Sequence, residues 1–199
     1  MTATCHRRDP AEYPRLLADE TKRFLEVVYG APEDLDVPAC PGWNAREIGE
    51  HVGGPYRWAE AHLRTGSPTR IRGVDLDLQM PREFEAQADW IRAGLAMLIA
   101  TLEANDPDKE LWAWGSDKQA RFWGRRMLFE TTIHRADIEL ALGRDPAVET
   151  ATALDGIDEF LDNLPHASYF APDINRLRSD DKVLRLLASS SCSSGAPVP

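Results

Sequence analysis

Hydrophobic side chains recur at helical spacing through most of the chain. The clearest case is the stretch from 81 to 104, where apolar positions repeat every three or four residues. These positions are Phe84, Ala88, Ile91, Leu95, Leu98 and Leu102. The same periodicity predicts helices over about 10–29, 44–64, 118–142 and 150–164, with glycine- and proline-rich segments between them. The pattern therefore predicts a mainly α protein.

The ends and lengths of these helices indicate how they assemble. Asn44 is a good N-cap, and Glu47 stands three residues later, where it completes a capping box. Four long amphipathic helices with a crossover loop predict a four-helix bundle, in which metal sites form from side chains that project inward. We also expect a short, partly disordered C-terminal extension, because residues 189–199 are rich in Ser, Gly and Pro.

Composition narrows the class of protein. The chain has 199 residues, of which 43% are hydrophobic and 28% charged, a balance typical of a globular domain. Its formal charge of −10 disfavours nucleic-acid binding, which depends on clustered Lys and Arg. No apolar run approaches the roughly 18 residues of a membrane span, and the N-terminus lacks the apolar core of a signal peptide. We therefore expect a cytoplasmic protein with neither a nucleic-acid nor a membrane partner.

A group of charged residues interrupts the expected pattern of the fourth predicted helix. Glu130 and His134 are four residues apart and share one face, which Asp137 continues. Beside them runs an apolar stripe made of Phe129, Ile133, Ala136 and Leu140. Buried charge needs a partner, and a metal ion is a natural one. With His51 from the second helix as a third ligand, the set suits Zn²⁺, Fe²⁺, Ni²⁺ or Mn²⁺, and Asp137 would orient His134.

Several of these residues have a second interpretation. A Glu and a His at this spacing occur in many helices by chance, and a lone His on an apolar face is usually hydrogen-bonded in the core. Arg125, Arg126 and Arg135 are candidates for holding a substrate carboxylate, although arginines on helix surfaces generally face solvent or pair with acids. Trp43 suits either a pocket wall or the core. Cys40 has no adjacent base, which favours a packed loop cysteine over a nucleophile.

Two sequence motifs carry a resemblance to a known family. The first covers 37–54 and reads VPACPGWNAREIGEHVGG. The second covers 123–137, reads WGRRMLFETTIHRAD, and is preceded by LWAW at 111–114. In this order the motifs resemble the mycothiol-dependent maleylpyruvate isomerase family, which belongs to the DinB/YfiT-like group of metal-binding helical bundles. The resemblance extends roughly over residues 10 to 165.

The resemblance has implications for the fold and the ligands. It implies a DinB-like four-helix bundle over 1–165, followed over 166–199 by the remnant of a C-terminal α/β domain that relatives commonly carry. It implies that His51, Glu130 and His134 form the metal triad, usually occupied by zinc, with nickel as an alternative. The low-molecular-weight thiol mycothiol is the implied cofactor.

The activity implied by the resemblance is cis–trans isomerisation of maleylpyruvate or a similar small acidic or electrophilic substrate. In this hypothesis Arg126 and Asp137 serve catalysis, and Trp43 and Arg125 bind the thiol. One alternative is a thiol S-transferase of the same superfamily. Another is a non-catalytic bundle whose metal site is closed by a fourth ligand, Asp137 or Glu50. A third alternative is a metal-dependent hydrolase that does not need a thiol. The sequence is compatible with either a homodimer or a monomer.

Overall fold

The computed structural model describes residues 6–176, in which five α-helices are joined by loops and short 3₁₀ turns. The helices are α1 (Tyr13–Val28), α2 (Ala45–Thr65), α3 (Phe84–Ala104), α4 (Arg121–Ala141) and α5 (Thr150–Asn163). No β-strand occurs in this part of the chain, so the predicted mainly α class is confirmed. None of the described helices is long and apolar enough to cross a membrane.

Four of the helices pack as a bundle around one core, which confirms the predicted architecture. α1 packs against α4, α2 packs against α3, and contacts between α2 and α4 close the core. The largest fully buried side chains include Leu17, Phe24, Ile48, Tyr56, Ile91, Leu98 and Trp123. α5 lies outside the bundle against α4, and continues directly into the 3₁₀ turn Leu164–Tyr169. The bundle core is built by removing these apolar surfaces from water.

Helix α2 begins at the predicted capping box. The side chain of Asn44 accepts a hydrogen bond from the backbone N–H of Glu47 at 3.1 Å, and Glu47 accepts one from the N–H of Asn44 at 2.8 Å. The helix continues through Pro55 and ends at Gly66, which takes a left-handed conformation with φ of 59°. A Cβ at Gly53 would lie 2.0 Å from the Trp90 ring, so glycine is required for the close approach of α3.

A buried chain of hydroxyl groups sets the position of α2 relative to α1 and α4. The Tyr56 hydroxyl lies 2.7 Å from that of Thr21 on α1 and 2.6 Å from that of Thr131 on α4. Buried hydroxyls that pair in this way avoid the cost of desolvation and hold their helices in one register. Because Thr131 follows Glu130 directly, the same contact places Glu130 opposite the first half of α2.

The structure corrects one expectation about α4 and leaves two expectations about the C-terminal part of the chain untested. Ile133 and Leu140, which we assigned to the apolar stripe facing the core, are 57% and 55% exposed. The buried face of α4 is centred instead on Met127, Thr131 and Ile138, because α1 and α2 pack on that side. The predicted disordered tail at 189–199 lies outside the described residues, and the domain boundary at 165 stays a prediction.

Candidate metal centre

The predicted triad comes together between α2 and α4. Nε2 of His51 lies 2.7 Å from Oε1 of Glu130, and Nε2 of His134 lies 3.5 Å from the same oxygen. One ligand atom from each residue falls within 4.8 Å of the other two. The His51 and His134 rings meet edge to face, with centroids 4.8 Å apart. Three side chains separated along the sequence therefore converge on one point.

These donors fit a divalent metal ion. Zinc bonds to His and carboxylate of about 2.0 Å place two tetrahedral ligands about 3.3 Å apart. The separation of 3.5 Å between His134 and Glu130 matches that spacing, and the 2.7 Å contact of His51 would have to widen by less than an ångström. The side chains of His134 and Glu130 are largely buried, whereas that of His51 is 35% exposed. Three ligands with one accessible side leave coordination positions for a further molecule.

The side chains of the triad and its neighbours shift the pKa of Glu130 and that of His134 in opposite directions. Burial alone would raise the pKa of Glu130, but hydrogen bonds from His134 and His51 and the charge of Arg126 lower it well below its ordinary value. Burial alone would lower the pKa of His134, yet its hydrogen bonds to Asp137 and Glu130 raise it to about 9. The triad is thus a place where a positive charge between the histidines and Glu130 is stabilised, as a metal ion would be.

Asp137 lies on the opposite side of the His134 ring. Its Oδ2 is 3.0 Å from Nδ1 of His134, while Nε2 faces Glu130. An acceptor at Nδ1 fixes the orientation of a ligating imidazole and leaves Nε2 for the metal. Glu50, the other acid considered as a fourth ligand, accepts a hydrogen bond from Gln87 at 3.0 Å. Neither acid closes the triad in this arrangement.

Cys40 also reaches this side of His134. Its thiol donates to Oδ2 of Asp137 at 3.5 Å and lies 4.0 Å from Nδ1 of His134, so the three residues form a second ligand group that shares His134. Burial, together with the charges of Asp137 and Glu130, raises the pKa of Cys40 to about 11. The thiol is therefore protonated at neutral pH, which fits a packed cysteine better than a nucleophile.

Arg126 links the triad to α5. One of its nitrogens pairs with Oε2 of Glu130, and another contacts both oxygens of Glu159 at 2.9 and 2.8 Å. Glu159 is only 2% exposed and also accepts a hydrogen bond from Asn163. Glu130 thus divides its oxygens between the histidines and Arg126. The positive charge of Arg126 is matched by two carboxylates.

The remaining predicted site residues fall into two groups. The Trp43 ring lies against the triad, with its centroid 4.7 Å from that of His51 and 6.3 Å from that of His134. Arg125 instead pairs with Asp155 at 2.9 Å and Asp162 at 3.0 Å between α4 and α5. Arg135 is likewise engaged, by Glu20 and Glu139. The structure brings Trp43, Arg126 and Asp137 to the triad but not Arg125, whose thiol-binding role stays a prediction.

An apolar pocket of about 370 Å³ opens beside the triad. Its polar side is formed by His51, Arg126, Glu130, Glu159 and Asn163. Its apolar walls include Pro55, Trp58, Trp114, Met127, Phe160, Leu164 and Phe170. A larger groove of about 600 Å³ near the ends of α3 and α4 contains no histidine. The pocket beside the triad joins apolar walls to metal-ligating groups, which the larger groove does not.

The contribution of α5 to this site was missed in the sequence. Glu159 and Phe160 lie on a helix that follows the second motif, and no spacing rule connects them with His51 or Glu130. One signal was present: the acids Asp155, Asp158, Glu159 and Asp162 recur along α5, and the pair Arg125–Arg126 stands on α4. Complementary charges of this kind indicate that two helices pack together.

The fold and the site define a DinB-like helical bundle of the metal-binding type. The family model described as the mycothiol maleylpyruvate isomerase N-terminal domain matches residues 15–139, and the chain belongs to this family. It is therefore a mycothiol-related, metal-binding protein, which confirms the resemblance of the two sequence motifs. Searches of the curated proteins and of the solved structures returned no match.

Proposed function

We propose that this protein is a metal-dependent enzyme that uses mycothiol as a nucleophile toward an electrophilic carbon. A cis–trans isomerisation like that of maleylpyruvate follows if the thiol is expelled again, and an S-transfer follows if it stays attached. The observation that carries the proposal is the position of the triad, whose accessible side borders an apolar pocket. A site of that form can bring a thiol and a second molecule together.

The residues of this chain have distinct tasks in the proposal. His51, Glu130 and His134 would hold the ion, and a bound divalent ion supplies a lowered thiol pKa at neutral pH. Asp137 holds the His134 ring from the far side through its 3.0 Å contact with Nδ1. Arg126 holds the second oxygen of Glu130 and so keeps the first one directed at the histidines. Trp43 covers the two imidazoles from the side of the loop before α2.

A non-catalytic metal site is the main competing function. Such a site would be closed by a fourth protein ligand, as structural zinc sites are. Among the described residues, Asp137 contacts Nδ1 of His134, on the far side of that ring, and Glu50 pairs with Gln87. The exposed fraction of His51 leaves one side of the triad open. The open side favours an enzyme over a purely structural ion.

Elemental mass spectrometry of the purified protein tests the metal. We expect about one divalent ion per chain, lost in a His51→Ala/His134→Ala variant. His166→Ala is the matched control, because His166 is exposed and outside the triad, and it should keep the ion. Absence of metal, together with no uptake from added zinc, would contradict the proposal.

Thiol binding tests the second half of the proposal. In protein loaded with Co²⁺, a thiolate ligand produces a charge-transfer absorption in the near ultraviolet, whereas a closed site does not change. We expect this band when mycothiol is added to the wild type and to His166→Ala. A metal-loaded protein that shows no band and no thiol-dependent turnover would support the non-catalytic bundle instead.

A further inference from the structure

We propose that the pocket beside the triad holds an uncharged, apolar substituent of the electrophilic substrate and discriminates against small carboxylates. This inference rests on the proposed function, because it names the class of molecule that the thiol would attack. It departs from the acidic substrate that the family resemblance implies. Two features of the described residues carry it: the apolar walls of the pocket and the neutralised state of its one arginine.

The walls of the pocket favour binding of an apolar group. Trp58, Trp114 and Phe160 present aromatic surface, and Met127 adds a flexible thioether that adapts to different shapes. A cavity of about 150 Å³ is enough to bind benzene, so the roughly 370 Å³ found here accommodates a ring with a substituent. Removing such a group from water is favourable in proportion to its apolar area.

In the described part of the chain, every positive charge on the polar side of the pocket is already paired with carboxylates. Arg126 is the only lysine or arginine among the described lining residues. It is held by Glu130 on one side and by both oxygens of Glu159 on the other. A substrate carboxylate would have to displace Glu159, which is 2% exposed and would be left without its cation.

A bound metal ion does not change this balance once the thiol is present. The two charges of a divalent ion and the charge of Arg126 are offset by Glu130, Glu159 and one thiolate. Among the described lining residues, no net positive charge then remains to hold an acidic substrate. Desolvating an unpaired carboxylate against aromatic walls is strongly unfavourable. An uncharged electrophile meets no such penalty.

A matched pair of ligands tests the inference by binding alone. Cinnamamide and cinnamate have nearly the same shape, but one is uncharged and the other is a carboxylate. In NMR titrations of the chelator-treated protein, we expect cinnamamide to bind at least about tenfold more tightly than cinnamate. The order should persist after zinc and mycothiol are added. Equal affinities, or tighter binding of cinnamate in either state, would overturn the proposal.

Neighbouring positions on α5 locate the binding site. Phe160 lines the pocket and Leu161 does not, although both are substantially exposed at 57% and 48%. Phe160→Asp is expected to weaken cinnamamide binding about tenfold, while Leu161→Asp leaves it within about twofold. Because both side chains are already exposed, both variants should fold. Equal effects of the two substitutions would place the ligand elsewhere and refute the assignment.

Glu159→Gln tests the charge argument directly. The substitution keeps the size of the side chain and removes one of the two charges that neutralise Arg126. We expect cinnamate affinity to rise at least about fivefold and cinnamamide affinity to stay within about twofold. An unchanged preference would show that Arg126 does not control selectivity and would contradict the proposal.

These titrations separate the two proposals. Binding of cinnamamide requires neither a metal nor a thiol, so selectivity for the amide without metal uptake would refute only the enzyme. Metal and thiol binding without selectivity for the amide would refute only the substrate class.

Discussion

The two histidines of α2 occupy opposite chemical environments. His51 and His62 are eleven residues apart, three turns of one helix, and therefore project from similar directions. His51 meets the carboxylate of Glu130 and the second histidine of the triad, His134. His62 is fully buried among tryptophans: its ring stacks on Trp123 at 5.2 Å and on Trp112 at 4.7 Å.

The difference shows how surroundings decide what a histidine can do. At the triad, the carboxylates of Asp137 and Glu130 contact the two ring nitrogens of His134, the partner of His51 on α4, and raise its pKa to about 9. At the other end of α2, burial, assisted by the charge of Arg70, lowers the pKa of His62 to about 4. Nε2 of His62 accepts a hydrogen bond from the N–H of Ile71 at 3.3 Å, and its Nδ1 has no hydrogen-bond partner among residues 6–176. The carboxylate-lined end suits a cation, and the tryptophan-lined end suits a neutral ring.

The largest effect is expected at the carboxylate-lined end. Glu130→Ala removes a proposed ligand and leaves Arg126, whose side chain is 17% exposed, with Glu159 alone. Breaking one side of a buried ion pair costs about 4 kcal/mol, and urea unfolding of chelator-treated protein should show a loss of this order. Asp89→Ala is the control, since its pair with Arg92 is exposed and should contribute under about 0.5 kcal/mol. Similar losses in both variants would refute the structural role of Glu130.

At the tryptophan-lined end, the expected effect depends on pH. The ordinary pKa of a histidine is 6.5, and that of His62 is about 4, so between these values the unfolded chain binds a proton that the folded chain does not. Stability contributed by neutral His62 is complete above pH 6.5 and is lost as the pH falls toward 4. Between pH 7 and pH 4 the wild type should therefore lose about 3 kcal/mol more unfolding free energy than His62→Gln. Parallel pH profiles of the two proteins would exclude this cause.

The contrast between the two ends also separates what local sequence signals predict from what they do not. Helical periodicity and the Asn44–Glu47 capping box depend on neighbours within a few residues, and both predictions are confirmed by the structure. The i, i+4 spacing placed Glu130 and His134 on one face for the same reason. These features need no knowledge of the tertiary fold.

The features that the sequence did not predict depend on packing between residues far apart in the chain. The surroundings of His62 include Trp112, which belongs to the segment between α3 and α4, so no local spacing in the sequence predicts that His62 is buried. Ile133 was assigned to the core-facing stripe because it follows an apolar spacing, but the neighbouring helices pack on another face of α4. Glu159 reaches the site only because α5 folds back on α4. Which face of a helix is buried is decided by its partners, and periodicity alone leaves that choice open.

A smaller effect is expected where Asp137 supports His134. Asp137→Ala removes the acceptor 3.0 Å from Nδ1 and frees the ring to turn. Loss of such a partner typically weakens metal binding about 10- to 100-fold, which competition with a zinc chelator would measure. Glu139→Ala is a suitable control because Glu139 pairs with Arg135, and it should change zinc affinity less than about twofold. Equal affinities in the two variants would show that Asp137 does not position the ring.

The smallest effect concerns the start of α2, the helix that carries both histidines. Asn44→Ala removes the side-chain oxygen that accepts from the N–H of Glu47, and it should lower the unfolding free energy by about 1 kcal/mol. Glu47→Gln keeps an acceptor for the N–H of Asn44 and should cost under about 0.5 kcal/mol. Because the cap lies nearer to His51 than to His62, Asn44→Ala should weaken zinc binding slightly and leave the acid-induced loss of stability from His62 unchanged. If that loss changed as well, the two ends of α2 would be one cooperative unit rather than two separate environments.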